Sequence, residues 1–192
     1  MIRLVTSQDI KYSTPLGGNV DADLIMNFVD DVQTMVIEPI LGTKLFDKIL
    51  TDFDAGSLNG LYLQMVDDYL KKIICYSVFA DYTKFGSITV SNGGVYRKTS
   101  DEAQLASESE IAALAKGYTS KADVYIGRLE RFLCDQDQNI PEYTTNQDND
   151  YDLDPRNDVR TSSGWYLRGI KKKDDYDFGV GTDYNSNNLE LE

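Results

Sequence analysis

Histidine is absent from the 192 residues of this chain. Its absence excludes Ser-His-Asp and Cys-His nucleophilic sites, the His-Glu-x-x-His zinc motif and most schemes that need a general base. Carboxylates remain, but the pairs Asp30-Asp31 and Asp67-Asp68 are adjacent on predicted helices, where neighbouring side chains diverge by about 100° and cannot share one site. We therefore expect a protein that is not an enzyme.

Basic residues, cysteines and long apolar runs are also scarce. The chain has 19 basic and 32 acidic residues, and its net charge of −13 argues against a protein that neutralises nucleic-acid phosphates. Cys75 and Cys134 both fall in apolar helical patterns, so we interpret them as buried small residues in a reducing compartment. Because no segment approaches the roughly 18 apolar residues of a membrane span and no signal peptide is visible, we expect a soluble product of cytoplasmic synthesis.

Two short motifs that could indicate a ligand fail on their spacing. Alternating aspartates at residues 148–154 are similar to the start of a calcium loop, but Leu153 stands where that loop needs glycine and Val159 where it needs glutamate. The Gly-x-Gly at residues 179–181 has neither a following helix nor a basic residue, so it is not a phosphate loop. We predict neither a metal nor a cofactor.

Residues 1–140 are predicted to form one mainly α, four-helix bundle-like domain, because apolar residues recur at helical spacing in four segments. We expect the first twenty residues to form a loosely packed arm, since helix breakers lie near its end. The first helix begins at the N-cap Asp21 and ends at Pro39 and Gly42, which turn the chain into a short second helix. Its polar face, which we expect to be solvated, carries Asp23, Asn27, Asp30, Asp31 and Gln33.

The third and fourth predicted helices are the longest. The third spans Leu61–Phe85 and has the wide apolar stripe that is typical of the middle of a bundle. The fourth begins at a capping box formed by Ser107 and Glu110 and keeps its apolar repeat to about Asp135.

A short β-hairpin is predicted at residues 87–98, between these two helices. Asn92-Gly93 supplies the two residues with positive φ that a type I′ turn needs, so Val90 should lie opposite Val95. An isolated two-stranded hairpin is marginal in water, so its strands need their own helices or another molecule to contact. The hairpin residues predicted to bind a partner are Ile88, Val90, Asn92, Gly93, Val95 and Tyr96.

The composition changes in residues 141–192. This segment has few aliphatic side chains and 12 acidic against 6 basic residues, from which no core can form. We interpret it as a long, extended acidic tail that binds partners. Its predicted anchors are an aromatic cluster with the only tryptophan of the chain and the basic residues that follow, namely Trp165, Tyr166, Leu167, Arg168, Lys171, Lys172 and Lys173.

Several short motifs occur in a characteristic order along residues 6–143. They are Ile40-Leu41-Gly42 with Lys44-Leu45-Phe46, Ala80-Asp81-Tyr82, Asn92-Gly93-Gly94-Val95, a last helix closing on Leu129, Phe132 and Leu133, and Ile140-Pro141-Glu142-Tyr143. In this order the chain resembles the head-tail connector proteins of tailed bacteriophages, also called adaptor or head-completion proteins, especially those of Bacteroidetes and crAss-like phages. The long segment after Tyr143, which many compact connectors lack, departs from that pattern.

The resemblance implies a structural virion protein rather than an enzyme. Such a subunit forms a homo-oligomeric ring, commonly a dodecamer, between the portal protein and the tail. DNA passes through the ring without specific binding, and no membrane is involved. The tail after Tyr143 implies contacts with neighbouring ring or tail proteins.

Two functions of other classes stay open at this point. The charge of −13 also fits an acidic DNA mimic that inhibits a nucleic-acid-binding enzyme. A carboxylate-based metal hydrolase would require acidic residues that converge in a pocket.

Overall fold

The computed structural model describes residues 2–17, 20–86, 88–91, 94–97, 106–144 and 152–155, with the backbone alone for residues 88–91, 94–97 and 144. Within these residues the protein is mainly α-helical, as predicted. A first compact unit spans residues 1–157, and the second, residues 158–192, lies outside the described residues. No described helix is both long enough and apolar enough to cross a membrane.

The N-terminal residues belong to the core, so the prediction of a loosely packed arm was wrong. Leu4 and Val5 are buried, and helix α1 (Ser7–Ser13) buries Ile10. Helix α1 begins at a capping box, in which the Thr6 N–H donates to Asp9 Oδ2 at 2.8 Å and the Asp9 N–H donates to Thr6 Oγ1 at 3.3 Å. The breakers after α1 therefore separate two helices and do not detach the first of them.

The first long helix consists of α2 (Ala22–Val32), a π-helical turn (Gln33–Ile37) and α3 (Glu38–Leu41). The predicted N-cap is confirmed, since the Asp23 N–H donates to Asp21 Oδ1 at 3.0 Å. Gln33, however, is completely buried rather than solvated. Gln33 lies four residues after the buried Val29 and therefore on the same side of the helix, so its place in the helical repeat, and not its polarity, determines that it is buried.

The chain then turns at Gly42 into α4 (Thr43–Asp54). The second long helix consists of α5 (Gly60–Met65), a second π-helical turn (Val66–Leu70) and α6 (Lys71–Phe85), which confirms the third predicted helix. Helix α6 packs on α1, α2 and α7 and is the centre of the unit. The largest completely buried side chains come from every long helix and include Ile25, Leu45, Ile49, Ile73, Ile74 and Leu129.

Two strands lie between α6 and α7. β1 (Ile88–Ser91) and β2 (Gly94–Arg97) are antiparallel, with Val90 opposite Val95 and Ile88 opposite Arg97. In the described backbone they form a two-stranded sheet, while Asn92 and Gly93 lie outside the described residues.

Helix α7 (Glu108–Asp135) follows the two strands and packs on α6. The capping box at its start is confirmed, because Ser107 Oγ accepts from the Glu110 N–H and the Ser107 N–H donates to Glu110 Oε2. Cys75 is buried as predicted, but Cys134 is exposed, which corrects its interpretation as a core residue. Cys134 follows the buried Leu133 directly, and consecutive residues of a helix point about 100° apart.

The chain remains packed on the helices beyond residue 140. A 3₁₀ turn (Asp137–Asn139) leads to the short helix α8 (Pro141–Thr144). Ile140 and Tyr143 are both part of the hydrophobic core. The first residues of the predicted tail therefore contribute to the core.

Candidate functional site

The partner-binding residues predicted from the sequence fall in two segments. Of the hairpin residues, Ile88, Val90, Val95 and Tyr96 lie on the paired strands, where Tyr96 is opposite Thr89. The remaining ones lie outside the described residues, namely Asn92, Gly93, Trp165, Tyr166, Leu167, Arg168, Lys171, Lys172 and Lys173. Their role as partner-binding residues stays a prediction.

A row of aromatic rings joins α6 to α7. Phe79 and Tyr118 have ring centroids 4.4 Å apart, and Tyr76 lies 5.9 Å from both Tyr118 and Tyr125. The rings meet at interplanar angles of 58–60°, and tilted aromatic pairs of this kind contribute about 0.5–1.5 kcal/mol each beyond their buried area. The row of rings holds α6 against α7. The segment that connects these two helices contains strands β1 and β2.

Cations cover the outer edge of this row. Lys121 Nζ lies 4.0 Å from the ring centre of Tyr118, and the Arg128 guanidinium carbon lies 5.3 Å from that of Tyr125. Burial raises the pKa of Tyr76. The surface of this helix pair thus combines half-buried tyrosines with exposed positive charge.

The corner between α3 and α4 is closed by residues from much later in the chain. The Thr43 N–H donates to the Leu153 carbonyl at 3.1 Å, and the Leu153 N–H donates to Thr43 Oγ1 at 3.0 Å. Gly42 has φ +80° and ψ 152°, a conformation that is essentially restricted to glycine, and a Cβ at this position would lie 2.8 Å from Cδ of Pro155. We call Gly42, Thr43, Leu153 and Pro155 the corner clasp.

A second contact holds α8 against α4 and α5. Tyr62 Oη donates to Glu142 Oε2 at 2.7 Å, and Lys48 Nζ lies 3.1 Å from Asp52 Oδ2 and 3.9 Å from Glu142 Oε1. Burial, followed by the hydrogen bond to Glu142, raises the pKa of Tyr62 to about 12. We call Lys48, Tyr62 and Glu142 the α8 anchor.

The corner clasp and the α8 anchor position a segment rather than a reactive group. Together they hold the chain at Glu142 and again at Leu153–Pro155, close to the end of the first compact unit. No three side chains of His, Cys, Asp or Glu lie together as a metal site would require, within the part of the chain that the structure describes. The arrangement therefore holds residues 142 and 153–155 against the helices of the first compact unit.

Sequence reasoning did not identify either contact. Leu153 was considered only as a misfit in a calcium loop, although it pairs with Thr43. The available signals were Gly42 between two helices and Pro155 in a polar segment. Neither signal identifies its partner, because a contact across more than 100 residues leaves no periodic pattern.

The fold and these contacts define a mainly α-helical unit in which Leu153 and Pro155 close the corner between α3 and α4. The chain belongs to a family of unknown function, DUF6712, whose profile matches residues 37–152. The matched residues begin in the first π-helical turn and end beside Leu153 of the corner clasp. Neither the search of curated proteins nor the search of solved structures found a match.

Proposed function

We propose that this chain is a structural subunit of a ring between the portal and the tail of a bacteriophage, that is, a head-tail connector. The observation that supports it most is the exposure of large apolar side chains on opposite outer helices. Met35 on the first long helix is 74% exposed, and Val124 on α7 is 57% exposed. A subunit in a closed ring needs two different outer faces, each of which contacts a neighbour.

The two strands are a second element available for assembly. They lie at the end of the α6–α7 pair, and Phe85 beside them is 56% exposed. Since a two-stranded sheet has unpaired edges, we infer that it pairs with a strand of a neighbouring subunit.

The C-terminal segment gives the subunit contacts beyond the ring. The corner clasp holds Leu153 and Pro155, which come shortly before this segment in the sequence. The aromatic cluster Trp165-Tyr166-Leu167 and the basic residues Arg168 and Lys171–Lys173 then bind acidic or apolar surfaces of the portal, ring or tail proteins.

The net charge of −13 has a role in this proposal. Acidic surface near the channel repels DNA at close approach, within the roughly 8 Å over which physiological salt allows charges to act. The same charge favours one alternative, an acidic DNA mimic that inhibits a nucleic-acid-binding enzyme. That alternative requires a small, compact binder rather than a ring.

The mass of the assembled protein distinguishes the two functions. We expect native mass measurement of the purified chain, alone and co-expressed with a portal protein, to give a closed ring of about a dozen copies. A monomer or dimer that binds a basic enzyme, and that releases it when salt is raised, would instead identify the mimic. A chain that stays monomeric with the portal protein present would contradict the connector function.

A further inference from the structure

The outward side of α7 is left uncovered by the described part of the chain. Its inward side buries Ala115, Ala122 and Leu129, which are seven residues apart, against α6. On the opposite side, Val124 is exposed and a Cβ added to Gly117 would meet no atom within 4 Å. A glycine here weakens the helix without improving any packing inside the chain, but it allows a second helix to approach closely.

This side of α7 is basic in an otherwise acidic protein. Residues 112–131 contain four cations and two carboxylates. As far as the chain is described, none of the cations Lys116, Lys121, Arg128 and Arg131 forms an ion pair. Lys121 and Arg128 lie over the rings of Tyr118 and Tyr125, whereas Lys116 and Arg131 have no such contact within the described residues. The charge of Lys116 and Arg131 is therefore available to a partner. We call the surface formed by the exposed residues Leu114, Lys116, Gly117, Ser120, Val124 and Arg131 the α7 face.

The outward side of the first long helix has the opposite charge. Residues 22–37 contain three aspartates and no lysine or arginine. Asp30 pairs with Arg3 at 2.7 Å, whereas Asp23 and Asp31 are exposed and form no salt bridge within the described residues. Leu24 lies beside them and is also exposed. We call the surface formed by Asp23, Leu24, Asn27, Asp31 and Met35 the α2 face.

We propose that the α7 face of one copy of this chain binds the α2 face of a second copy, head to tail. This assignment rests on the proposed ring and specifies its contact. Helix α6 packs between α2 and α7, so the two faces point away from each other, as a contact that repeats around a ring requires.

The apolar positions of the two surfaces are also spaced alike. Leu24 and Met35 lie about three helical turns apart, as do Leu114 and Val124, a distance of about 15–17 Å in both cases. All four side chains are exposed. Opposite charges lie near each apolar pair, so one register can satisfy the apolar and the charged contacts together.

Charge reversal on each face tests the contact. We expect Lys116→Glu/Arg131→Glu and Asp23→Lys/Asp31→Lys each to weaken self-association at least tenfold in sedimentation velocity. An equimolar mixture of the two variants should restore association, because the acidic α7 face of the first meets the basic α2 face of the second. Added NaCl should weaken the wild-type contact, since salt screens these exposed charges.

The control variant Asp47→Lys/Asp54→Lys changes two exposed aspartates of α4 and should associate as the wild type does. Urea unfolding checks that every variant folds, and Asp31→Lys alone replaces the double variant if Asp23 is needed at the start of α2. An oligomer that neither face variant weakens would overturn the assignment of faces and leave the ring intact. A chain that is monomeric at every concentration would overturn both.

Discussion

The side chain of Gln33 holds the first residues of the chain in place. Its side chain is completely buried, and its amide accepts from the Leu4 N–H at 2.8 Å and donates to the Ile2 carbonyl at 2.9 Å. One side chain therefore supplies the backbone hydrogen bonds that a neighbouring strand would otherwise give. It attaches the N-terminal segment to the first π-helical turn.

Replacing this amide by an apolar group of similar size should destabilise the protein. In Gln33→Leu, the Leu4 N–H and the Ile2 carbonyl lose their partners, and we expect the free energy of unfolding to fall by about 1–3 kcal/mol. Urea denaturation measures the change. Met35→Leu, an exposed substitution two residues away, should stay within about 0.5 kcal/mol of the wild type. Equal stability of the two variants would mean that the N-terminal segment is not held by Gln33.

Cys75 makes the stability of the protein depend on pH in the alkaline range. Burial raises the pKa of its thiol from 9.0 to about 11. Between these values the unfolded chain loses the proton while the folded chain keeps it, so the free energy of unfolding falls as pH rises through this range.

Two matched variants isolate this effect, because Cys134 is exposed and Cys75 is buried. We expect the urea midpoint of the wild type and of Cys134→Ala to fall between about pH 8 and about pH 10.5, and that of Cys75→Ala to fall less. Tyr62 adds a decrease that begins near pH 10 and that all three proteins share, since burial raises its pKa from 10.0 to about 12. An identical pH dependence for the two cysteine variants would exclude Cys75 as the source.

At the scale of elements, helices that bury a continuous apolar stripe could be predicted, and contacts between distant segments could not. Asp21 and the Ser107–Glu110 capping box identified helix starts because caps are local. Gln33 was assigned to the wrong side because it is polar, although it lies four residues after the buried Val29 and therefore on the same side of the helix. The link between Thr43 and Leu153 has no local signal, so the closing of the corner could be seen only in three dimensions.

The corner clasp should be intolerant of any side chain at Gly42. Gly42→Ala would place a Cβ 2.8 Å from Pro155 and force alanine to φ +80°, and we expect a loss of about 2–4 kcal/mol in urea denaturation. Gly117→Ala on α7 meets no atom within 4 Å and should instead stabilise the protein by up to about 1 kcal/mol.

A double-mutant cycle separates the two causes at Gly42. The variant Pro155→Ala removes the ring that the new Cβ would contact but leaves the backbone strain. We expect Gly42→Ala to cost less in the Pro155→Ala background than in the wild type. The same cost in both backgrounds would assign the effect to backbone conformation and to the Leu153 carbonyl oxygen, which lies 3.1 Å from the added Cβ, and would exclude the proline ring.

At the scale of the whole molecule, the helical unit includes residues 141–155, although their composition is that of the predicted tail. Residues 141–155 contribute Glu142 of the α8 anchor and half of the corner clasp, whereas residues 158–192 belong to a separate unit. A chain that ends at Asn157 should therefore unfold in urea at the wild-type midpoint. A chain that ends at Thr144 loses two hydrogen bonds of the clasp and the burial of Pro155, and should be about 2–4 kcal/mol less stable.

A third chain that ends at Ile140 locates the boundary. It also lacks Tyr143, which is 8% exposed, and Glu142, which leaves the hydroxyl of Tyr62 without its acceptor. We expect a further loss of about 2–3 kcal/mol, because a largely buried aromatic side chain and a hydrogen bond are removed together. If the chains ending at Ile140 and at Asn157 had the same urea midpoint, residues 141–157 would be dispensable and the folded unit would end at residue 140. If the chains ending at Thr144 and at Ile140 each have a lower midpoint than the next longer chain, the C-terminal segment is part of the fold up to Pro155. Within that segment, only the residues beyond Pro155 are then available to bind partners.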